Sequence, residues 1–273
     1  MKMFQVVLFC LIGGLSITWA AMGTGGFAWW WLSGILMAAA FVPLALYGPR
    51  TFWGQFGSTF PVFMVVTVLC LWSEALIFAP DFRQHAVRNL VGSAAVYGIM
   101  AVVLAILAIV LKLPREGSPA AQLRSPLQLI PLVLVCGLAY AFYYLLFGGI
   151  TYQFFTKNYF PEAAAQVGRL GPWFWPLQIA RGILMTLAVV PIIRALRLSR
   201  LQSAIAVGIV LWVAGGFAPL VLPNALMGPR QRFIHIIEIF TQNFSLGVTA
   251  VLLLRKKSSE TVVVAHDAPV AAA

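Results

Sequence analysis

Apolar residues in this chain fall into eight runs of about twenty, separated by short stretches that hold most of its Lys, Arg, Gly and Pro. A helix rises 1.5 Å per residue, so about twenty apolar residues cross a hydrocarbon layer of about 30 Å. The runs predict helices over about 3–21, 27–47, 60–79, 90–111, 127–150, 173–196, 201–222 and 232–254. The expected fold class is an all-α integral membrane protein, a polytopic helical bundle of about eight transmembrane helices. The first run follows Lys2 and ends in small residues around Thr18 and Ala20, which also fits a cleavable signal peptide and would leave seven spans. Its length, and the short GTGG link to the next run, favour an uncleaved helix. Residues 1–257 read as one transmembrane domain, and 258–273 as a disordered cytoplasmic tail with no apolar face to pack.

The stretches between the runs carry their own signals. GPRTFWGQFGST after Tyr47 and KLPREGSPAAQLRSP after Leu111 read as connections. Thr151 to Pro172 is a longer connection rich in Tyr and Phe. Within it, PEAAAQVG places Pro at a first helical turn and Gly at the end, which predicts a short helix on the membrane surface. As the longest outer connection it is either a lid over a cavity or an interfacial anchor.

Charge sets the orientation. The chain is 62% hydrophobic and 9% charged, whereas a soluble domain carries roughly a quarter charged residues. Its net charge of +11 therefore reflects loops that follow the positive-inside rule, with no nucleic-acid partner implied. With the N-terminus inside, eleven Lys and Arg fall on the cytoplasmic side (Lys2, Arg50, Lys112, Arg115, Arg124, Arg194, Arg197, Arg200, Arg255, Lys256 and Lys257), and six fall outside. Six of the nine Trp residues (19, 29, 30, 31, 173 and 175) lie at outer ends, where an amphipathic ring suits the headgroup layer. Both termini are expected in the cytoplasm, and the bilayer of a bacterial-type cell (inner) membrane is the expected partner. Cys10, Cys70 and Cys136 each sit inside an apolar run without CxxC or Cys/His spacing. They read as small packing residues.

Candidate chemistry lies in the few polar residues inside the runs. RQRFIHIIEIFTQNFS, from Arg230 to Ser245, sets His235, Glu238, Gln242 and Ser245 at spacings of three, four and three. On a regular helix they make one polar stripe. Glu74 lies six residues before Pro80, and Glu238 six after Arg232, so each is expected roughly 9 Å from the outer helix end. His235 is expected shallower, and Arg181, with Gln178 three residues before it on the same face, deeper. A charge at that depth costs about 2.5 kcal/mol or more unless it is paired or hydrated. Arg181 is therefore expected to pair with Glu74 or Glu238 around an outward-facing cavity.

Three readings remain open at this point. The cluster is interhelical glue in a structural subunit. Or it binds or transports a small or lipid-borne anionic ligand, with Arg181 and Gln178 on the anion, Glu74, Glu238 and Gln242 orienting it or exchanging protons, and His235 tuning the exchange. Or His235 and Glu238 share a metal, with Glu74 or His85 completing the shell of a membrane-embedded enzyme. The second is the expected one. No phosphate loop, dinucleotide fingerprint or nucleophile elbow occurs, so no cofactor is implied. The charge count predicts that reporter fusions at Ala120 and after Lys257 read cytoplasmic, and that one near Ala164 reads external. The opposite pattern would put the cluster on the other face of the membrane.

Overall fold

The computed structural model describes residues 2–22, 26–115, 121–223 and 227–256. Eight helices in it are long and apolar enough to cross a membrane. They are α1 (Lys2–Ala21), α2 (Phe27–Tyr47), α3 (Phe52–Phe78), α4 (Phe82–Val110), α5 (Pro126–Phe154), α6 (Ala163–Ala195), α7 (Arg200–Val221) and α8 (Pro229–Leu254). Among the described residues the only β pairing is a single antiparallel bridge between Leu123 and Arg255. The expected tail, 258–273, lies outside the described residues, as does Lys257.

Several helices are longer than hydropathy predicts, because polar residues are absorbed into their ends. The stretch after Tyr47 becomes helical from Phe52, where the Thr51 side chain accepts from Gly54 N at 3.2 Å and supplies the N-cap. Its buried Gln55 does not reach water. Its Nε2 donates to Pro49 O at 2.7 Å and Leu44 O at 3.3 Å, tying the start of α3 to the end of α2. Ser58 and Thr59 donate back to Gly54 O and Gln55 O of their own helix, at 2.8 and 3.0 Å, so they cost no unpaired hydroxyl. At the other end, α8 starts at Pro229 rather than Arg232, with Pro at the first turn. Glu238 is thereby nine residues into α8, roughly 13 Å from its start instead of 9 Å.

The long connection after α5 is mostly helical too. α5 continues to Phe154, a short 3₁₀ turn covers Thr156–Asn158, and Ala163–Leu170 forms the expected short helix. Gly171, at φ +54°, breaks it from Phe174–Ala195, the main body of α6. A positive φ there favours Gly because a Cβ would clash with the backbone. Of the three Trp expected as interfacial anchors in α2, Trp29 is exposed, whereas the Trp31 indole turns inward and donates to Leu11 O on α1 at 3.1 Å.

α7 is the most enclosed helix, while α1 and α5 turn most of their surface outward. The outward faces are large and apolar. Leu127, Ile130, Leu134, Leu138, Phe142 and Leu145 run down α5 at helical spacing, all at least half exposed. Such a stripe suits lipid and would be an aggregation surface in water. Inside, helices meet through glycine. A Cβ on Gly182 of α6 would lie 2.5 Å from Tyr140 Cβ and 3.0 Å from Gly137 Cα on α5. A Cβ on Gly247 of α8 would lie 2.6 Å from Gly208 Cα on α7. With no hydrophobic force between helices in lipid, close backbone contact supplies much of the attraction. Cys70 and Cys136 are buried free thiols in this packing.

Basic residues tie off the end of the bundle where α2, α4, α6 and α8 finish. Arg197 N and Arg115 N donate to Tyr47 O and Leu46 O, at 2.9 and 2.7 Å. Arg255 donates to Ser203 Oγ at 2.6 Å and Leu198 O at 2.8 Å, and Arg124 Nε to Leu253 O at 2.7 Å. Cations at helix C-termini complement the exposed carbonyls and the dipole. From the α5–α6 contact we expect Gly182→Ala to destabilise the bundle by about 1–3 kcal/mol, read as a lower detergent-solubilised melting temperature. Gly98→Ala, where a Cβ meets nothing within 4 Å, should leave it unchanged.

Candidate functional site

Among the described residues, α6 supplies the most deeply buried charge, Arg181, at 6% exposed. Arg181 Nη1 lies 2.7 Å from Glu74 Oε1 of α3, with the Arg side chain 7% exposed and the Glu side chain 28%. The same Nη1 donates to Gln178 Oε1 at 2.9 Å. The guanidinium sits over the Tyr140 ring of α5, 5.7 Å from its centre, close enough for a cation–π contact. Of the two partners the sequence left open, Arg181 takes Glu74. The pair is asymmetric, since Glu74 keeps an opening and Arg181 does not.

Two donors remain unanswered. Arg181 Nε and Gln178 Nε2 are buried without a hydrogen-bond partner. Amide ends are usually interchangeable, but here the bond from Arg181 holds the Gln178 oxygen toward it. The free end is therefore the NH₂, and both open positions call for an acceptor.

α8 carries a second group. His235 Nδ1 lies 2.9 Å from Glu238 Oε2, and Gln242 Nε2 donates to Glu238 Oε1 at 3.2 Å. His235 Nε2 in turn meets Tyr159 Oη at 3.2 Å, so the aromatic connection after α5 reaches the cluster. Burial pushes the Tyr159 hydroxyl above its ordinary range, with its Thr156 contact opposing. The proton stays on the phenol at neutral pH, and Tyr159 acts as a hydrogen-bonding group.

α5 stands between the two groups. Its Tyr140 ring lies beside Arg181, and the Tyr144 ring follows 6.3 Å from Tyr140. One turn further on, Gly148 leaves room for α8. A Cβ there would sit 3.3 Å from Glu238 Oε1 and 3.4 Å from Gln242 Nε2.

Helical geometry changes at this level. α3, α5, α7 and α8 each contain a wide π-helical stretch: Phe63–Cys70, Tyr144–Gly148, Val213–Phe217 and Phe240–Phe244. Such turns gather at functional sites and re-aim the side chains beyond them. In α8 the turn breaks the regular stripe. Gln242 and Asn243 are both buried, Asn243 donates to Leu211 O at 3.1 Å, and Ser245 is left half-buried. In α7, Pro219 has no N–H for the carbonyl five residues back, and Thr67 of α3 donates to that Ala214 O at 2.9 Å.

Two cavities lie nearby, and neither is lined by Arg181, Glu74, Gln178, His235 or Glu238. One of about 490 Å³ is lined by Tyr159 with Phe154, Phe155, Asn158, Arg230 and Gln231. The other, of about 460 Å³, lies beside Leu76 and Ile77, just beyond Glu74. Among the described residues no three His, Cys, Asp or Glu side chains gather as a metal site. Glu74 is committed to Arg181 and His85 is exposed, so neither completes a shell with His235 and Glu238.

Of the six residues singled out in the sequence, Arg181, Glu74 and Gln178 meet in one group and His235, Glu238 and Gln242 in another; the sequence did not single out Tyr140, Tyr144, Gly148, Tyr159 or Asn243. Three of these had a signal. Tyr140, Tyr144 and Gly148 recur every four residues, on one face of α5. Tyr159 had none, since its contact spans 76 positions. Comparison with family models, with curated proteins and with solved structures finds no match to this chain.

Removing Glu74 strands a buried cation, whereas removing Arg181 leaves a carboxylate with some access. We expect Glu74→Ala to cost about 3 kcal/mol and Arg181→Ala less. Unfolding titrations should show the double variant close to Arg181→Ala alone.

Proposed function

We propose that this chain binds a small or lipid-borne anion at Arg181, as a binding or transport protein of the cell (inner) membrane. The observation that carries the reading is the pair of buried, unanswered donors, Arg181 Nε and Gln178 Nε2. A buried donor without an acceptor costs about 1–3 kcal/mol, and a carboxylate or phosphate oxygen removes that cost for both. Glu74 neutralises Arg181 in the empty site and is partly displaced when the anion arrives, taking up a proton or turning to its open side. The His235–Glu238 contact supplies a second exchange point. This couples anion binding to protons. In this reading the cluster faces the outside, because the basic residues gather at the opposite end.

The 2.7 Å Arg181–Glu74 ion pair also favours a second reading, in which the cluster only fastens α3 to α6 in a structural subunit. Thermal stability of the purified protein across carboxylates, phosphates and lipid-linked phosphates separates the two. We expect at least one anion to raise the melting temperature of the wild type, and Gln178→Leu to remove most of that rise while staying folded. No response to any anion, with Arg181→Ala/Glu74→Ala less stable than the wild type, supports the fastening role.

A further inference from the structure

The second cavity lies at the end of α3, roofed by the short helix that leads into α6. Its lining is Leu76, Ile77, Arg83, Gln166, Arg169 and Leu170. Three features of it point to one kind of ligand. Arg83 and Arg169 bring two positive charges to one cleft of about 460 Å³. The Arg83 Nε donates to Leu76 O at 2.8 Å, which holds the guanidinium over the last turn of α3 and leaves its two Nη groups as the outer donors. Gln166 is 7% exposed, and its Oε1 has no hydrogen-bond partner. Leu76, Ile77 and Leu170 form an apolar floor, each half-buried.

We infer that this cleft is a headgroup site for an anionic phospholipid. The phosphate lies on Arg83 and Arg169, a headgroup hydroxyl donates to Gln166 Oε1, and an acyl chain follows Leu76, Ile77 and Leu170 toward the lipid-facing surface. Each part of the lipid meets a part of the cleft that nothing else explains. Guanidinium groups suit phosphate oxygens. The buried Gln166 amide is unpartnered at its Oε1, and a glycerol hydroxyl can answer either end of an amide, whereas a choline headgroup carries no hydroxyl. The cleft sits where α3 ends and α4 begins, and guanidinium groups at helix ends can hold a phosphate. It is separate from the Arg181–Glu74 pair and stands whether or not that pair binds an anion.

The test measures lipid retention by the full chain in detergent, using native mass spectrometry with phosphatidylglycerol, phosphatidylcholine or inorganic phosphate alone. We expect phosphatidylglycerol to bind in preference to phosphatidylcholine, and inorganic phosphate alone to compete only weakly. Each arginine near a membrane surface contributes enough to shift affinity about five-fold, so Arg169→Ala should weaken phosphatidylglycerol about five-fold and Arg83→Ala/Arg169→Ala about 25-fold. Arg169 is exposed, so Arg169→Glu tests the charge without disturbing the core, and it should abolish the preference for phosphatidylglycerol. Gln166→Leu should narrow the preference over phosphatidylcholine. Equal retention of both lipids, or full retention by Arg169→Glu, overturns the inference. Inorganic phosphate competing as well as the lipid also overturns it, leaving a site for free phosphate.

Discussion

A guanidinium enclosed by apolar helices must be answered on several sides at once, and Arg181 is answered by three helices. Glu74 comes from α3, Tyr140 from α5 and Gln178 from α6 itself. The cost of an unpaired charge at this position is about 2.5–3.5 kcal/mol, enough to dictate how these helices sit. The Gly182–Gly137 contact brings α5 close enough for the Tyr140 ring to lie under the cation. The wide turn Phe63–Cys70 directly precedes the segment holding Glu74 and sets the direction in which it points. Since Nε and the Gln178 amide remain unanswered, the arrangement balances the charge without using up its hydrogen-bonding capacity.

The same demand governs the uncharged groups. In lipid every backbone N–H and C=O has to find a partner inside the protein. Where helices end or widen, side chains from neighbours step in. Thr67 meets Ala214 O, Ser33 meets Ala218 O, Asn243 meets Leu211 O, and Gln55 meets Leu44 O and Pro49 O. α7 can thus hold its wide turn Val213–Phe217 with neighbouring side chains on its carbonyls. At the basic end of the bundle the Arg124 side chain does the corresponding work for the closing turn of α8, and the backbone N–H groups of Arg115 and Arg197 do it for α2. Arginines meet terminal carbonyls at both ends of the bundle, while carboxylates, histidine and amides converge nearer the end where α3 finishes and α8 begins.

Helix number and rough position were legible because hydropathy depends on local composition alone. The ends were less so. Gln55, Ser58 and Thr59 look like loop residues in the sequence, yet they are helical because their hydrogen bonds close on nearby backbone. The polar stripe of α8 was legible as far as Gln242, where regular periodicity holds. Beyond it the wide turn Phe240–Phe244 replaced Ser245 with Asn243, a change that no fixed period anticipates.

By itself, then, the sequence determined eight apolar helices, a basic and a polar end, and the six polar residues that can meet among them. Those follow from composition and from spacing within single helices. Tertiary structure decided the rest. Arg181 joined Glu74 while Glu238 joined His235, Tyr159 came from a connection to complete the second group, and α5 came to stand between the two. Such choices depend on how closely helices approach and how they are rotated. Glycine contacts and wide turns set both, and their effect depends on residues on other helices.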